Sequence, residues 1–261
     1  MAVHQFEPGL AGREFEYWLR RYRRTWRGTV VVSIANPLLF LLAIGAGLGR
    51  LIPDSAALGG VSYLAFFAPG MLAAASMQNG VVESAFPVSW ARRRGGSYQV
   101  AGAGPLEPAD ILIGHALFMT FKIALGAAAF LVVMIAMGAA RSPLVLLDLP
   151  AAVLTGLAFA TPTAAWVITV QRQGTAGTLF KWVVMPLYLF SGTFFPIAAL
   201  PVPVRVLAYV SPLWHGADLC RTLSLGTAQW GMSAVHVAYL LALTFLGVYI
   251  GLRTYRTQLH S

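Results

Sequence analysis

Six runs of apolar residues, each near the ~20 needed to cross a hydrocarbon layer, follow one another along this chain with little between them. They fall at about 29–49, 61–86, 110–137, 149–170, 178–198 and 232–252. Only 10% of the 261 residues are charged, against 58% hydrophobic, and the mean hydropathy is +0.71. Soluble domains carry about a quarter charged residues. The pattern describes an all-α integral membrane protein with six spans, short loops and no sizeable soluble domain, so that 1–261 reads as one transmembrane domain. The single Cys220 excludes an intramolecular disulfide and a cysteine-based metal cluster.

The net charge of +9 invites a nucleic-acid reading, but the arginines stand at the ends of apolar runs. A membrane surface accounts for them better, and no nucleic-acid partner is expected. The first 28 residues hold six arginines and no apolar core of signal-peptide type, so no cleavable leader is expected there. Residues 11–27 have the pattern of an amphipathic interfacial helix. At about 100° per residue, Phe15, Trp18, Leu19, Tyr22 and Trp26 share one face, while Arg13, Arg20, Arg23, Arg24 and Arg27 cluster opposite. The plainer alternative is a basic flank that only sets orientation.

With both termini cytoplasmic, the inside segments hold these arginines and Arg21, with Arg92, Arg93, Arg94, Arg172, Lys181, Arg253 and Arg256. The outside holds Arg50, Arg141, Arg205 and Arg221. This positive-inside bias orients the six spans. One substantial cytoplasmic loop results, 87–109, in which Pro105 and Pro108 set off the third span and Asp110 lies near its start. The second span contains Pro69–Gly70 and is expected to kink or begin there. Gly45 with Gly49, and Gly247 with Gly251, have the four-residue spacing of close helix contacts, a weak signal in apolar runs.

Signals of bond chemistry are sparse. Gly174-Thr-Ala-Gly-Thr-Leu-Phe-Lys181 has neither the spacing nor the Ser/Thr of a phosphate loop, and neither a metalloprotease HExxH nor a GxSxG elbow occurs. No metal or cofactor is expected on this chain. Ionisable groups in or near spans are functional candidates. Lys122 fits a pathway-lining or carboxylate-paired role, or a structural tie between helices. Glu83 and His115 fit membrane-end polarity. A proton-coupled carrier using Lys122 and Glu83 is one rival reading. A membrane-embedded lipid-modifying enzyme using His115, Glu83, His215 or Asp218 is another.

The segment 190–221 is apolar but broken by Gly192, Pro196, Pro201, Pro203, Pro212 and Gly216. Lipid leaves bare backbone polar groups without partners, so the segment is expected to turn at the outer face as short re-entrant helices. His215, Asp218 and Arg221 have helical spacing after Pro212. They either fasten a short helix by ion pairing or form a triad facing one way.

In that place Phe190-Ser-Gly-Thr-Phe-Phe-Pro196, then Leu200-Pro201, then Ser211-Pro-Leu-Trp-His215 and Arg221 closely resemble the signature of type-2 ABC transporter permeases. The likeness is nearest to the branch of nodulation lipooligosaccharide exporters and daunorubicin-type drug-resistance permeases. Phe67-Ala-Pro-Gly70 and Gly104-Pro-Leu-Glu-Pro-Ala-Asp-Ile-Leu-Ile-Gly114 are similar to that family's corresponding segments, except that a threonine often stands where this chain has Gly104, and Arg92-Arg93-Arg94 is an unusual triplet.

The resemblance implies a half-transporter in the plasma (inner) membrane of a prokaryote. It would pair with an identical or related permease and with cytoplasmic ABC ATPase subunits that hold the ATP and magnesium. It implies that 87–109 seats the ATPase, with Arg92, Arg93, Arg94 and Glu107 as contacts. It also implies an interfacial helix bearing Trp18, Arg20, Arg24 and Trp26, lying among membrane lipids. An outer gate would be built from Ser191, Gly192, Phe194, Phe195, Pro196, His215, Asp218 and Arg221. Lys122, Trp182, Tyr188 and Phe190 are candidates to line the pathway. The implied cargo is amphipathic, an antibiotic-like drug or a lipid-linked saccharide.

Overall fold

The structure, a computed structural model, describes residues 8–47, 60–93, 96–102, 104–170 and 174–259. Arg50, Arg94, Arg172 and Gly49 lie outside the described residues. The described residues are mostly helical, with no strand among them. In chain order the helices are α1 (Pro8–Phe40), continued by a π-helical turn (Leu41–Gly47), α2 (Tyr63–Ala91), α3 (Ser97–Gly102) and α4 (Pro108–Ala136). Then come a 3-10 turn (Pro143–Leu147) with α5 (Asp148–Val167), α6 (Thr175–Leu179), a π-helical turn (Phe180–Val184) and α7 (Met185–Phe190). A 3-10 turn (Ile197–Ala199), α8 (Val202–Val210), α9 (Pro212–Leu225) and α10 (Trp230–Leu259) complete it.

Pro108–Ala136, Pro143–Val167 and Trp230–Leu259 are long and apolar enough to cross a membrane by length and composition, and Ala176–Phe190 is apolar but shorter. The helices run alternately between two ends. At one end, α3 meets the last turns of α10, where Tyr98 lies 5.7 Å from Tyr255 between ring centroids and Arg92 Nη2 donates to Gln258 Oε1 (2.6 Å). At the other, α9 packs on the first turns of α2 and α10 through Arg221 and His215.

Four expected boundaries differ. Residues 11–27 do not form a separate interfacial helix: α1 runs on through Phe40. Its Glu, Leu and Arg residues favour continued helix, and Glu16 holds Arg20 one turn away at 2.7 Å. Much of its aromatic face packs on α4. Trp18 is 4% exposed and stacks on His115 (4.5 Å), and Phe15 and Tyr22 sit edge-on to Phe121 (6.4 and 6.0 Å). Arg20, Arg24 and Trp26 remain exposed.

The second run neither begins nor breaks at Pro69. Ser62 caps α2, accepting from Ala65 N at 3.4 Å, and the helix passes through both Pro69 and Pro87 to Ala91. The loop 87–109 therefore contracts to short links flanking α3. The fifth run stops at Phe190, eight residues early, because Gly192 takes φ +76°, a left-handed conformation that side chains resist.

α2 is the centre of the bundle, buried along nearly its whole length against α4, α5 and α9. It approaches α5 so closely that a Cβ on Gly80 would run into the Gly156 carbonyl oxygen, and one on Gly156 would lie 2.8 Å from Ser76 O. Gly247 and Gly251 make similar contacts, against Thr161 with Pro162 and against Leu112 with Ala165. Small residues let helix backbones meet where lipid supplies no hydrophobic drive for association. Gly80→Leu should therefore lower the thermal midpoint of the detergent-solubilised protein, costing roughly 1–3 kcal/mol by overpacking. Gly231→Ala, where a Cβ meets nothing within 4 Å, should leave the midpoint unchanged or slightly higher.

Candidate functional site: the α9 clamp and the α3 seam

The break after Phe190 is held by side chains from other helices. Gly192 has no space for a Cβ, which would sit 2.7 Å from Ile197 Cγ1. Its carbonyl accepts from Arg221 Nη2 (2.7 Å), while Arg221 Nε donates to Phe66 O (3.1 Å) and the guanidinium lies 3.9 Å from the Phe66 ring centroid. Gly70 makes this possible, since a Cβ there would come within 2.9 Å of Arg221 Nη2 and 3.3 Å of Thr193 Cα. Pro69–Gly70 thus serves as a notch for α9 and not as a helix boundary. Burial pushes the Arg221 guanidinium down to about 10, which leaves it cationic at neutral pH.

Other fastenings follow the same chemistry. Tyr63 OH donates to Phe194 O (3.1 Å), and Phe194 packs on Phe67 and Tyr188 at 5.5 and 5.0 Å. Ser191 Oγ lies 3.0 Å from Ser211 Oγ, which also caps α9 by accepting from Leu213 N (3.2 Å). Arg205 Nη2 donates to Ala198 O and Leu200 O (2.8 and 3.2 Å). Phe195 packs on the small cluster of Ile197, Leu200 and Ala208 beyond Pro196.

His215, Asp218 and Arg221 do not converge as a triad. His215 Nδ1 lies 2.8 Å from Nδ1 of His236 on α10, whose Nε2 lies 3.2 Å from Asp218 Oδ2. The two rings share that contact, and the Asp218 carboxylate lies beside the far nitrogen of His236. Tyr239 stacks on His215 at 4.0 Å. Burial first, then the neighbouring His236, pushes the His215 imidazole down to about 4. Sequence reasoning missed His236; a histidine near the start of an apolar run was its only signal. Asp148, which meets Ser224 in a short buried contact, was missed also. Cys220 is fully buried, its Sγ 4.0 Å from Asp148 O. Among the described residues no group of three or more His, Cys, Asp or Glu side chains is placed to hold a metal ion.

The α3 end is built differently. Tyr98 OH lies 2.7 Å from His115 Nδ1, and His115 stacks on Trp18, whose Nε1 donates to Glu14 Oε1 (2.7 Å). Burial behind Trp18 pushes the Glu14 carboxyl up to about 7. α1 comes this close because Gly114 has no Cβ: one would lie 2.6 Å from Ala11 O. Glu107 holds the N-cap position of α4, where its N–H donates to Asp110 Oδ2 (3.1 Å). Arg93 is exposed.

Lys122 Nζ pairs with Glu83 Oε1 at 3.2 Å and lies 4.4 Å from the Tyr22 ring centroid. It does not join Trp182, Tyr188 and Phe190. Trp182 and Phe190 are 70% and 45% exposed on the short rod of α6 and α7, and Tyr188 is buried there with its OH on Met71 Sδ (3.1 Å). The four pathway candidates therefore belong to two regions. His115 with Glu83, and His215 with Asp218, likewise stand at different ends, too far apart to act on one substrate.

A family model described as ABC-2 type transporter matches residues 13–225, the stretch from α1 through α9. The chain is 32% identical over 225 residues to Nodulation protein J of Rhizobium leguminosarum bv. trifolii, covering 84% of each chain. It is 30% identical over 218 residues to the protein of that name from Rhizobium leguminosarum bv. viciae, covering 80% of this chain and 82% of the other. To that of Rhizobium meliloti (strain 1021) it is 29% identical over 219 residues, with the same two shares.

Replacing Arg221 by Lys removes the forked grip on two carbonyls. It should lower stability by roughly 2 kcal/mol, seen as a lower thermal midpoint. His215 supplies a pH dependence with a definite sign. Its proton is bound near 6.5 in the unfolded chain and near 4 in the folded one, so its contribution is complete above about 6.5 and is lost as pH falls towards 4. Thermal midpoints measured across that window should decline with falling pH, and His215→Gln should flatten the slope.

Proposed function

Because the chain belongs to the ABC-2 type transporter family, we propose that it is the six-span permease half of an ATP-driven exporter, with both termini in the cytoplasm of a prokaryote. Two such permeases, identical or related, combine with two separate ABC ATPase chains, which hold ATP and magnesium. The cargo is amphipathic. A lipid-linked saccharide and an antibiotic-like drug, the two cargoes the family resemblance implies, share an apolar body that suits a membrane pathway.

The observation that carries this reading is the attachment of α3. This six-residue helix hangs between α2 and α4, and its Tyr98 reaches into the seam formed by His115 of α4, Tyr255 of α10 and, through His115, Trp18 of α1. A partner pressing on α3 moves three long helices together. In this scheme Arg93, with Arg92 and Arg94 beside it, meets the ATPase, while Glu107 shapes the start of α4 behind that surface. ATP binding in the partner then biases the permease between two arrangements, an inward-open and an outward-open one.

The α9 clamp forms the outer gate. Arg221, Gly192, Ser191, Phe194, Phe195 and Pro196 hold it shut over the pathway, and His215 and Asp218 fasten α9 to α10 through His236. The exposed faces of Trp182 and Phe190 offer apolar contact to the cargo. Lys122, paired with Glu83, acts as a tie between α2 and α4.

An ATPase encoded beside this chain should co-purify with it, and Arg93→Ala should weaken that association or uncouple hydrolysis from transport. Transport by the purified chain on a proton gradient, with no ATPase present, would overturn the reading. A cysteine at Arg93 should resist an impermeant thiol reagent in intact cells and one at Arg141 should react; the opposite pattern reverses the topology.

A further inference from the structure

The first turns of α1 and the short α3 do not close on each other. Between them lies a cavity of about 430 Å³, walled by Val100, Ala101 and Leu106 on one side and by Tyr17 on the other. Two polar groups line it without a full set of partners. The Ser97 hydroxyl is buried and meets no hydrogen-bond partner. The Glu14 carboxyl is 5% exposed; its Oε1 accepts from Trp18 Nε1 (2.7 Å), and among the described residues no cation pairs with it. Arg13 stays exposed at the rim, turned about 100° from Glu14 as the neighbouring residue of a helix. Burial pushes the Glu14 carboxyl up to about 7, the condition of an acid that lacks a cation.

The cavity therefore suits a guest with an apolar stem and a tip of several N–H donors, one for the free Glu14 oxygen and one for Ser97. Arginine and lysine side chains have that form. The cavity opens beside α3, the helix on which the ATPase presses in the function proposed above, and this inference rests on that reading. Val100, at the lip, is 69% exposed; a docked protein surface covers it where a free small cation would not. The two flanks of α3 then differ in sign. Towards α10 stands Arg92, bonded to Gln258, with Arg93 exposed beside it, and towards α1 stands the buried acid.

We propose that this cavity receives an arginine or lysine side chain of the ATPase, with Glu14 as its counter-ion and Ser97 as a second acceptor. Glu14 thereby helps to decide which ATPase this chain accepts. A chain that presents an acid or an apolar residue at that point leaves the buried carboxyl unpaired and is disfavoured.

The test is the affinity of the detergent-solubilised full chain for the ATPase encoded beside it, measured by biolayer interferometry. Glu14→Gln, which keeps an acceptor for Trp18, should weaken binding about tenfold. Ala101→Leu, which fills the cavity, should weaken it similarly. Pairing holds Glu14 in its charged form, so wild-type affinity should be level above about pH 7 and fall as pH drops below it. The Glu14→Gln chain should lack that fall. Glu16→Gln, at an exposed acid of the same helix that pairs with Arg20, should bind as wild type does. Wild-type affinity in both cavity variants would overturn the inference, as would an equal loss in Glu16→Gln, which indicates diffuse charge. The same fall with pH in Glu14→Gln would remove Glu14 as the counter-ion. If the wild-type chain binds no ATPase, the transporter reading itself fails, and this inference with it.

Discussion

A main-chain carbonyl that leaves a helix in apolar surroundings must find a donor elsewhere, and the stretch from Phe190 to Pro212 leaves several. Long side chains meet them. Arg221 serves Gly192, Tyr63 serves Phe194, Arg205 serves both Ala198 and Leu200, and Tyr239 reaches Val210 at 2.5 Å. These donors come from α2, α8, α9 and α10, so satisfying the broken backbone also fixes where those helices stand. Among the described residues the stretches outside helices are short, in keeping with the donors that each one demands.

The two ends use different chemistry. The α9 end is tied by cationic and hydroxyl donors to carbonyls and by a histidine pair. The α3 end is tied by stacked rings, with Trp18, His115 and Tyr98 in series and Glu14 buried behind them. Between them the Gly80–Gly156 contact brings α2 and α5 together without side chains. The middle is thus joined backbone to backbone, and each end is fastened separately.

Much of this was legible in the sequence, for reasons that can be named. Ser211-Pro212 announces the start of α9 because a hydroxyl caps the turn and proline needs no donor there. Pro108 with Asp110 does the same for α4. The all-helical membrane character follows from apolar run length, and the membership from the motif around Phe190. What stayed hidden was lateral. An aromatic face opposite arginines looks the same whether it meets lipid or another helix, so the docking of Trp18 and Tyr22 on α4 left no distinct trace. Periodicity describes one helix at a time, and His236 acquires its role only when α10 lies against α9. Gly80 and Gly156 carry no local signal that they face each other. Lys122 stands out as a charge within a span and Trp182, Tyr188 and Phe190 as aromatic residues, and neither signal tells that the fold puts Lys122 in a different place from the other three.

The placement of the donors also orders events during synthesis. Tyr63 precedes the broken stretch and Arg205 lies within it, but Arg221 and Tyr239 are made afterwards. Until α9 and α10 have been made, the carbonyls of Gly192 and Val210 lack the side-chain donors that meet them in the fold. The segment's donors are therefore complete only once α10 has been made. A chain halted before α10 would lose more than one helix, because the turn after Phe190 would have nothing to complete it.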